Sequence, residues 1–325
     1  MKRILVTGGA GFIGSHLCRA LLDAGNEVAV LDDLSTGSRE NLSGLLERPD
    51  FALHVGSVND AAKVDALVEK ADFVYHLASA VGVRLIIDQP VRTIESIVGG
   101  TTVVLEACNR HWKPFLLTST SEVYGKGSRV PFCEDDDTVM GPTSTRRWSY
   151  ACAKAVDEFL ALAYWVERKL PVTVVRLFNT VGPRQTGQYG MVIPNLVTQA
   201  LKGEPITVFG DGTQTRCFTH VRDIVGALLT IPERPQALGQ VINLGNNQEI
   251  SILQLSQEIQ RLTGTASPIK IIPYDQAYGP GFEDMHRRVP CIDKAKRLLD
   301  YQPRLGLEDI LRDVIEDKRH ALGLA

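Results

Sequence analysis

The chain has 325 residues, 44% of them hydrophobic, and its 35 basic and 38 acidic side chains leave a formal charge of -3 with pI ≈ 6.2. That length and apolar share allow a full core and about two domains, while the weak negative charge gives no field for nucleic acid or an anionic membrane, so an anionic ligand must be met by local arginines. Six scattered cysteines without a CxxC pair and seven histidines without ligand spacing point to reduced thiols and away from a metal centre.

Met1-Lys2-Arg3 runs straight into a β-rich stretch and no apolar run is long enough to span a bilayer, so neither a secretory leader nor a membrane partner is expected and a cytoplasmic location is. Residues 4–7 read as a strand and residues 11–24 as a helix, with Ile13, Leu17, Ala20 and Leu21 in helical period and Gly25 closing it. Between them lies Thr7-Gly8-Gly9-Ala10-Gly11-Phe12-Ile13-Gly14. Its Gly8, Gly11 and Gly14 let a backbone approach a pyrophosphate seated on the helix N-terminus. The next strand, 27–31, ends on Asp32, about 20 residues on, where an acid can bond an adenosine ribose. A carboxylate there repels a 2′-phosphate, so NAD is expected over NADP.

Strands at 51–55 and 73–76, helices at 61–70 and 91–110, and a strand from Phe115 continue the alternation, followed by a helix at 148–169 and a strand at 172–176. Such alternation predicts an α/β fold: a Rossmann-like, doubly wound parallel sheet with a smaller, mostly C-terminal α/β substrate domain. The expected division is 1–177 for the dinucleotide domain, with 207–245 returning to it, and 178–206 plus 246–325 for the substrate domain. Past Gly182-Pro183 glycines and prolines become frequent, and 267–281 reads as a mobile loop.

The strand from Phe115 to Leu117 ends on Thr118-Ser119-Thr120-Ser121-Glu122-Val123-Tyr124-Gly125. Ligands of open α/β sheets sit beyond the carboxyl ends of strands, so these polar side chains should face a substrate. Tyr150 and Lys154 stand four apart on a helix, where an ammonium can lower the phenol toward neutrality and make it a base for a hydroxyl proton.

With TGGAGFIG, HLASA, STSEVYG, YxxxK, LFNTVGPR and GDGTQTRCFTHVRD in this order, nearly the whole chain resembles the extended short-chain dehydrogenase/reductases of the nucleotide-sugar epimerase/dehydratase family. The resemblance implies a recycled NAD held by the glycines with Phe12, Ile13, Asp32, Val58, Leu77 and Ala78. It implies oxidation of a UDP-sugar at C4 by Tyr150, tuned by Lys154, with Thr120 on the same hydroxyl. Asn179 and Arg216 match positions that hold the nucleotide diphosphate, Val192 matches the uridine side, and Val81, Ser121 and Arg184 complete the substrate set. One departure is Ser57, where the family usually carries an aspartate toward adenine.

Thr120-Ser121-Glu122 bears on the branch. Related dehydratases carry Asp-Glu after the threonine, and a serine cannot readily donate the leaving group's proton, which disfavours dehydration. UDP-glucuronate decarboxylases carry the same TSEVYG string, and the 141–150, 216–219 and 278–288 stretches resemble the decarboxylase domain of the bacterial aminoarabinose-lipid pathway. The Glu and distal Arg that flank the sugar carboxylate there map to Glu122 and Arg288, with Arg287 one residue away. Glu122, its pKa raised, is expected to protonate C5 after CO2 leaves, giving UDP-xylose or its 4-keto form. The stretch 78–83 looks closer to epimerases, which keeps UDP-glucuronate or UDP-glucose 4-epimerase as the alternative. A non-catalytic dinucleotide sensor or scaffold is the alternative of another class, against which Thr120, Tyr150 and Lys154 argue. Glu122 as a structural acid, with Arg288 paired to Glu283 or Asp284 at the surface, is the remaining reading. Apolar positions on helices 91–110 and 148–169 exceed one core-facing stripe, and in relatives these helices form a homodimer.

Overall fold

The computed structural model describes residues 1–79, 89–187, 191–278 and 285–324. In β1 (Arg3–Thr7) successive side chains alternate between the two faces, and each face has its own core. Ile4 and Val6 pack with Leu17 and Leu21 of α1 (Phe12–Asp23), whereas Leu5 packs with Val64 and Val68 of α2 (Ala61–Lys70). A strand buried on both faces is the mark of a parallel sheet covered by helices.

That sheet has seven strands among the described residues. With β2 (Glu27–Asp32), β3 (Phe51–Val55), β4 (Phe73–His76), β5 (Phe115–Thr120), β6 (Val172–Leu177) and β7 (Val241–Leu244), the order is β7-β6-β5-β4-β1-β2-β3, all parallel. The order reverses between β1 and β4, and their carboxyl ends open the crevice where such sheets bind ligands. On the faces lie α3 (Gly100–His111), α4 (Ser149–Arg168) and α5 (Val221–Thr230) beside α1 and α2.

A third core lies outside the sheet. Helices Val192–Lys202, Ile252–Thr263 and Leu307–Ala321 bury Ile193, Leu196, Leu255, Ile259, Ile310 and Val314 with the parallel strands Ile206–Phe209 and Ile269–Ile272. Residues 206–209 thus pair in this smaller unit, while α5 and β7 lie on the main sheet, and helix Asp293–Leu299 packs its Ala295 and Leu299 back on the first core. Arg287–Arg288 forms a short strand beside Thr215–Cys217, which also pairs with Glu249–Ser251.

Two local expectations are corrected. The stretch 267–281 is not a loop throughout: Ile269–Ile272 is a strand, because Ile206–Phe209 offers it a parallel edge, and Tyr274–Tyr278 is a helix, with 279–281 outside the described residues. The helix expected over 91–110 begins as Pro90–Ile94 and passes through a π turn, Glu95–Gly99, before α3. At Gly100 a Cβ would stand 2.6 Å from Val58 Cγ2, so glycine permits the close approach of α3 to the loop after β3.

Candidate active site

One cavity of about 1030 Å³ runs from the glycine turn after β1, past Asp32, to Arg288. Its dinucleotide end fits the expected cofactor. Gly8 has φ +72 and a Cβ there would stand 2.6 Å from the Ala78 nitrogen, so only glycine lets the turn lie against β4's end. Gly11, Phe12, Ile13, Gly14, Val58, Leu77 and Ala78 line the same end, as does Ser57. Asp32 accepts hydrogen bonds from the Ala10 and Leu34 nitrogens at 2.9 and 2.8 Å, which fix its carboxylate at the cavity wall. Burial pushes its pKa up, against those two bonds.

At the far end stand Thr120, Ser121, Glu122, Tyr150, Asn179, Val192, Arg216 and Arg288. Thr120 closes β5 and caps the 3-10 turn Ser121–Tyr124 by accepting from the Glu122 nitrogen at 3.2 Å. That cap tips Glu122 into the cavity, where Arg288 Nη2 lies 2.7 Å from its Oε1 and Arg147 Nη1 bonds its Oε2. Burial alone would raise the Glu122 pKa, but the charges and hydrogen bonds of Arg288 and Arg147 outweigh it and hold the carboxyl at about 2. The raised value expected for Glu122 is therefore wrong, because two guanidiniums share one carboxylate. Arg288 is not at the surface, since the residue is 8% exposed and bonds Glu122; Glu283 and Asp284, its other expected partners, lie outside the described residues. Arg287 instead faces outward on Glu249.

Tyr150 is buried, and its phenol is pushed up, first by burial and next by the Glu122 carboxylate, with a hydrogen bond from Thr120 acting the other way. The expectation of a phenol lowered by Lys154 does not hold in the ligand-free structure. Lys154 does not line the cavity; its ammonium is 2.8 Å from Asp157 Oδ2, three residues along the same helix. Behind that pair runs a chain of buried groups with one consistent direction. Ala78 N–H donates to Thr7 Oγ1 at 3.3 Å, and that hydroxyl meets His76 Nδ1 at 2.7 Å. His76 Nε2 then meets Thr101 Oγ1 at 3.2 Å, which donates to Asp157 Oδ2 at 2.8 Å. Burial first, and the Lys154 charge second, hold His76 near 3, so the ring is neutral as this pattern requires.

Other expected residues divide. Asn179, with φ 27, donates to the Cys217 carbonyl at 3.0 Å, and Arg216 donates to the Thr215 carbonyl at 2.7 Å; both keep their place in the cavity wall. Arg184 does not. Its guanidinium bonds His16 Nδ1 at 2.7 Å and the Asn41 carbonyl at 3.0 Å, outside the cavity lining, because its φ of 68 turns it toward α1. Val81 lies outside the described residues. Arg147 and Asp157 were not singled out in the sequence. Their signals were present: an acid three residues after Lys154, and an arginine one helical turn before Tyr150. Among the described residues no cluster of His, Cys, Asp and Glu has the arrangement of a metal site, and no helix is long and apolar enough to cross a membrane.

Over residues 5–314 the chain matches the family described as GDP-mannose 4,6 dehydratase. It is 40% identical over 319 residues, 97% of either chain, to a UDP-N-acetyl-alpha-D-glucosaminuronate decarboxylase of Bacillus cytotoxicus. It is 37% identical to UDP-glucuronic acid decarboxylase 1 of Xenopus tropicalis, over 99% of this chain and 73% of that one. Among solved structures, UDP-glucuronic acid 4-epimerase of Bacillus cereus, in complex with UDP-glucuronic acid and NAD, superposes with a TM-score of 0.87 at 31% identity over 98% and 99% of the two chains. The chain belongs to the GDP-mannose 4,6 dehydratase family, the extended short-chain dehydrogenase/reductase group its motifs resemble, and is an enzyme of the NAD-dependent nucleotide-sugar decarboxylase/epimerase kind.

Proposed function

We propose that this member of the GDP-mannose 4,6 dehydratase family removes CO2 from a UDP-linked hexuronate through a C4 ketone, with UDP-glucuronate and its 2-acetamido counterpart as the candidate substrates. The observation that carries the reading is the charge count around Glu122. Among the described residues, two buried guanidiniums converge on this one carboxylate at the cavity wall. A sugar carboxylate offers a guanidinium there a charged acceptor that a neutral hexose does not. The names of the relatives at 37–40% identity support loss of that carboxylate.

NAD, when bound, supplies the acceptor and donor of the C4 hydride. The glycine turn, Asp32, Val58, Leu77 and Ala78 would hold it, and the chain's other groups handle protons and charge. Tyr150, as the phenolate that the positive charge of a bound oxidised NAD would favour, takes the proton of the C4 hydroxyl while Thr120 hydrogen-bonds the same oxygen. Once C4 is a ketone the sugar is a β-keto acid: the bond from C5 to the carboxylate carbon breaks, CO2 departs, and the electron pair moves into an enolate whose oxygen Tyr150 and Thr120 can hydrogen-bond. C5 then takes a proton from water, since Glu122 is held ionised, and reduction at C4, with Tyr150 returning its proton to the C4 oxygen, gives the UDP-pentose. Asn179 and Arg216 serve the diphosphate, Val192 the uridine, and Ser121 the sugar. Ser121 in place of an acid leaves dehydration without its proton donor.

Incubation with NAD and each UDP-hexuronate should give a sugar nucleotide lighter by one CO2, read by mass spectrometry. An intact mass with a new 4-epimer would overturn decarboxylation in favour of epimerisation, the reading that the epimerase neighbour supports at lower identity. Helices 90–111 and 149–168 also expose Val91, Ile94, Val156, Phe159 and Val166, with Phe159 at 72%. We propose that these faces pair in a homodimer, and a monomeric mass at micromolar concentration would contradict it.

A further inference from the structure

Two guanidiniums meet the Glu122 carboxylate, and they reach it from different parts of the fold. Arg147 stands on the 3-10 turn Arg146–Trp148 that runs directly into α4. Its Cζ lies 5.5 Å from the Trp148 ring centre and its side chain is 4% exposed, so it is held in place on the same element that carries Tyr150. Glu122 sits on a turn packed against α4, which makes the Glu122–Arg147 pair internal to the sheet half of the molecule. Arg288 arrives from the short strand beside Thr215–Cys217. Apart from Glu122, its side-chain contact among the described residues is a long one, 3.5 Å from its Nη1 to Asn179 Oδ1. An arginine so short of acceptors gains by meeting a new one.

We propose that the two arginines divide the charge work: Arg147 is the standing partner that keeps Glu122 ionised and in place, while Arg288 is the exchangeable partner that turns to the substrate carboxylate and returns when CO2 has left. The inference rests on the decarboxylase reading. With a hexuronate bound, each of the two guanidiniums has a carboxylate to meet, Arg147 that of Glu122 and Arg288 that of the sugar. Without Arg147, one guanidinium would serve both, and Glu122 would hold Arg288 back from the substrate. Among the described residues, the charged and titratable groups shown to face Glu122 are Arg147 and Tyr150 from α4 and the turn before it, and Arg288 from its strand. When Arg288 turns away, Arg147 alone offsets the burial that would otherwise return Glu122's proton. Arg147 is thus a positioning residue, acting on the substrate through Glu122 and Arg288.

The test compares Arg147→Met, Arg147→Lys and Arg288→Met in the NAD-loaded enzyme. One readout is the pH profile of CO2 release; the other is a carboxyl ¹³C NMR titration of Glu122, assigned by the signal lost in Glu122→Gln. In Arg147→Met the Glu122 titration should rise by about one unit or more and bring an acid limb into the kcat/KM profile, and lysine should restore most of the shift. Arg288→Met should instead raise KM for the hexuronate roughly 10- to 100-fold. An unchanged Glu122 titration in Arg147→Met, or the same pattern from both arginine variants, would overturn the division. Should the methionine variant not fold, Arg147→Gln takes its place with the same two outcomes. The titration needs no turnover, so it decides the role of Arg147 even where wild-type CO2 release fails and the decarboxylase reading falls.

Discussion

Two buried arginine–glutamate clusters flank the end of β5, and they are built differently. In the first, Glu158 of α4 meets Arg176 of β6 through both oxygens, at 3.0 and 2.8 Å, and Ser119 donates to the same carboxylate. Arg176 also donates to the Glu134 carbonyl at 3.2 Å and covers the Tyr124 ring, whose hydroxyl bonds Asn243 at 2.8 Å. One charge answers one charge, and neither Arg176 nor Glu158 lines the cavity. In the second cluster, Arg147, Glu122 and Arg288 all line the cavity, and among the described residues two guanidiniums share one carboxylate. Residue types and burial are alike in both. Charge balance and access to the cavity separate a cluster that closes the fold from one prepared for an anion.

The largest effect that tests this contrast is on stability. Arg176→Met leaves Glu158 buried without its fork and should lower the unfolding free energy by about 3–5 kcal/mol in a denaturant titration, while the protein that remains folded keeps its KM. A loss below about 1 kcal/mol would break the comparison by showing the closed cluster to be dispensable. The reverse profile is expected of Arg288→Met. Glu122 keeps Arg147, so stability should change by less than about 1 kcal/mol, whereas kcat/KM for a UDP-hexuronate falls roughly 100-fold, carried mostly by KM. Equal losses of stability and activity would make Arg288 a structural arginine like Arg176.

How far these clusters could be read beforehand depended on range. The sheet strands and the glycine turn were legible because their signals are local: two-residue alternation, helical period, and glycines at fixed offsets between Thr7 and Gly14. Strand Ile269–Ile272 was missed because its stability comes from a partner edge at 206–209, which no local pattern contains. At the site, Thr120, Glu122, Tyr150 and Arg288 came from motif order and resemblance, and the structure gathers them at one cavity end. What the sequence could not supply was ionisation. Lys154 lies four residues from Tyr150 yet spends its charge on Asp157, and Glu122 meets two arginines rather than one. Both corrections follow from distances between side chains that spacing alone leaves open. Arg184 stood inside a matching motif and still turned away, because its left-handed backbone points it at His16.

The smallest effect is the sharpest control, because it lies one residue from a large one. Arg287 and Arg288 are neighbours on a two-residue strand, paired in parallel with Thr215 and Arg216, so their side chains point to opposite faces. Arg287 is 52% exposed and forks onto Glu249 with its Nη2 at 2.5 Å and its Nε at 3.0 Å, while Arg288 points inward to Glu122. A solvent-exposed pair of this kind contributes little, so Arg287→Ala should leave the thermal midpoint within error and kcat/KM within about twofold of wild type. A one-residue slip of this strand would exchange the two side chains. If Arg287→Ala cost as much turnover as Arg288→Met, the strand would bind in the slipped register, and the guanidinium offered to the substrate would be that of Arg287.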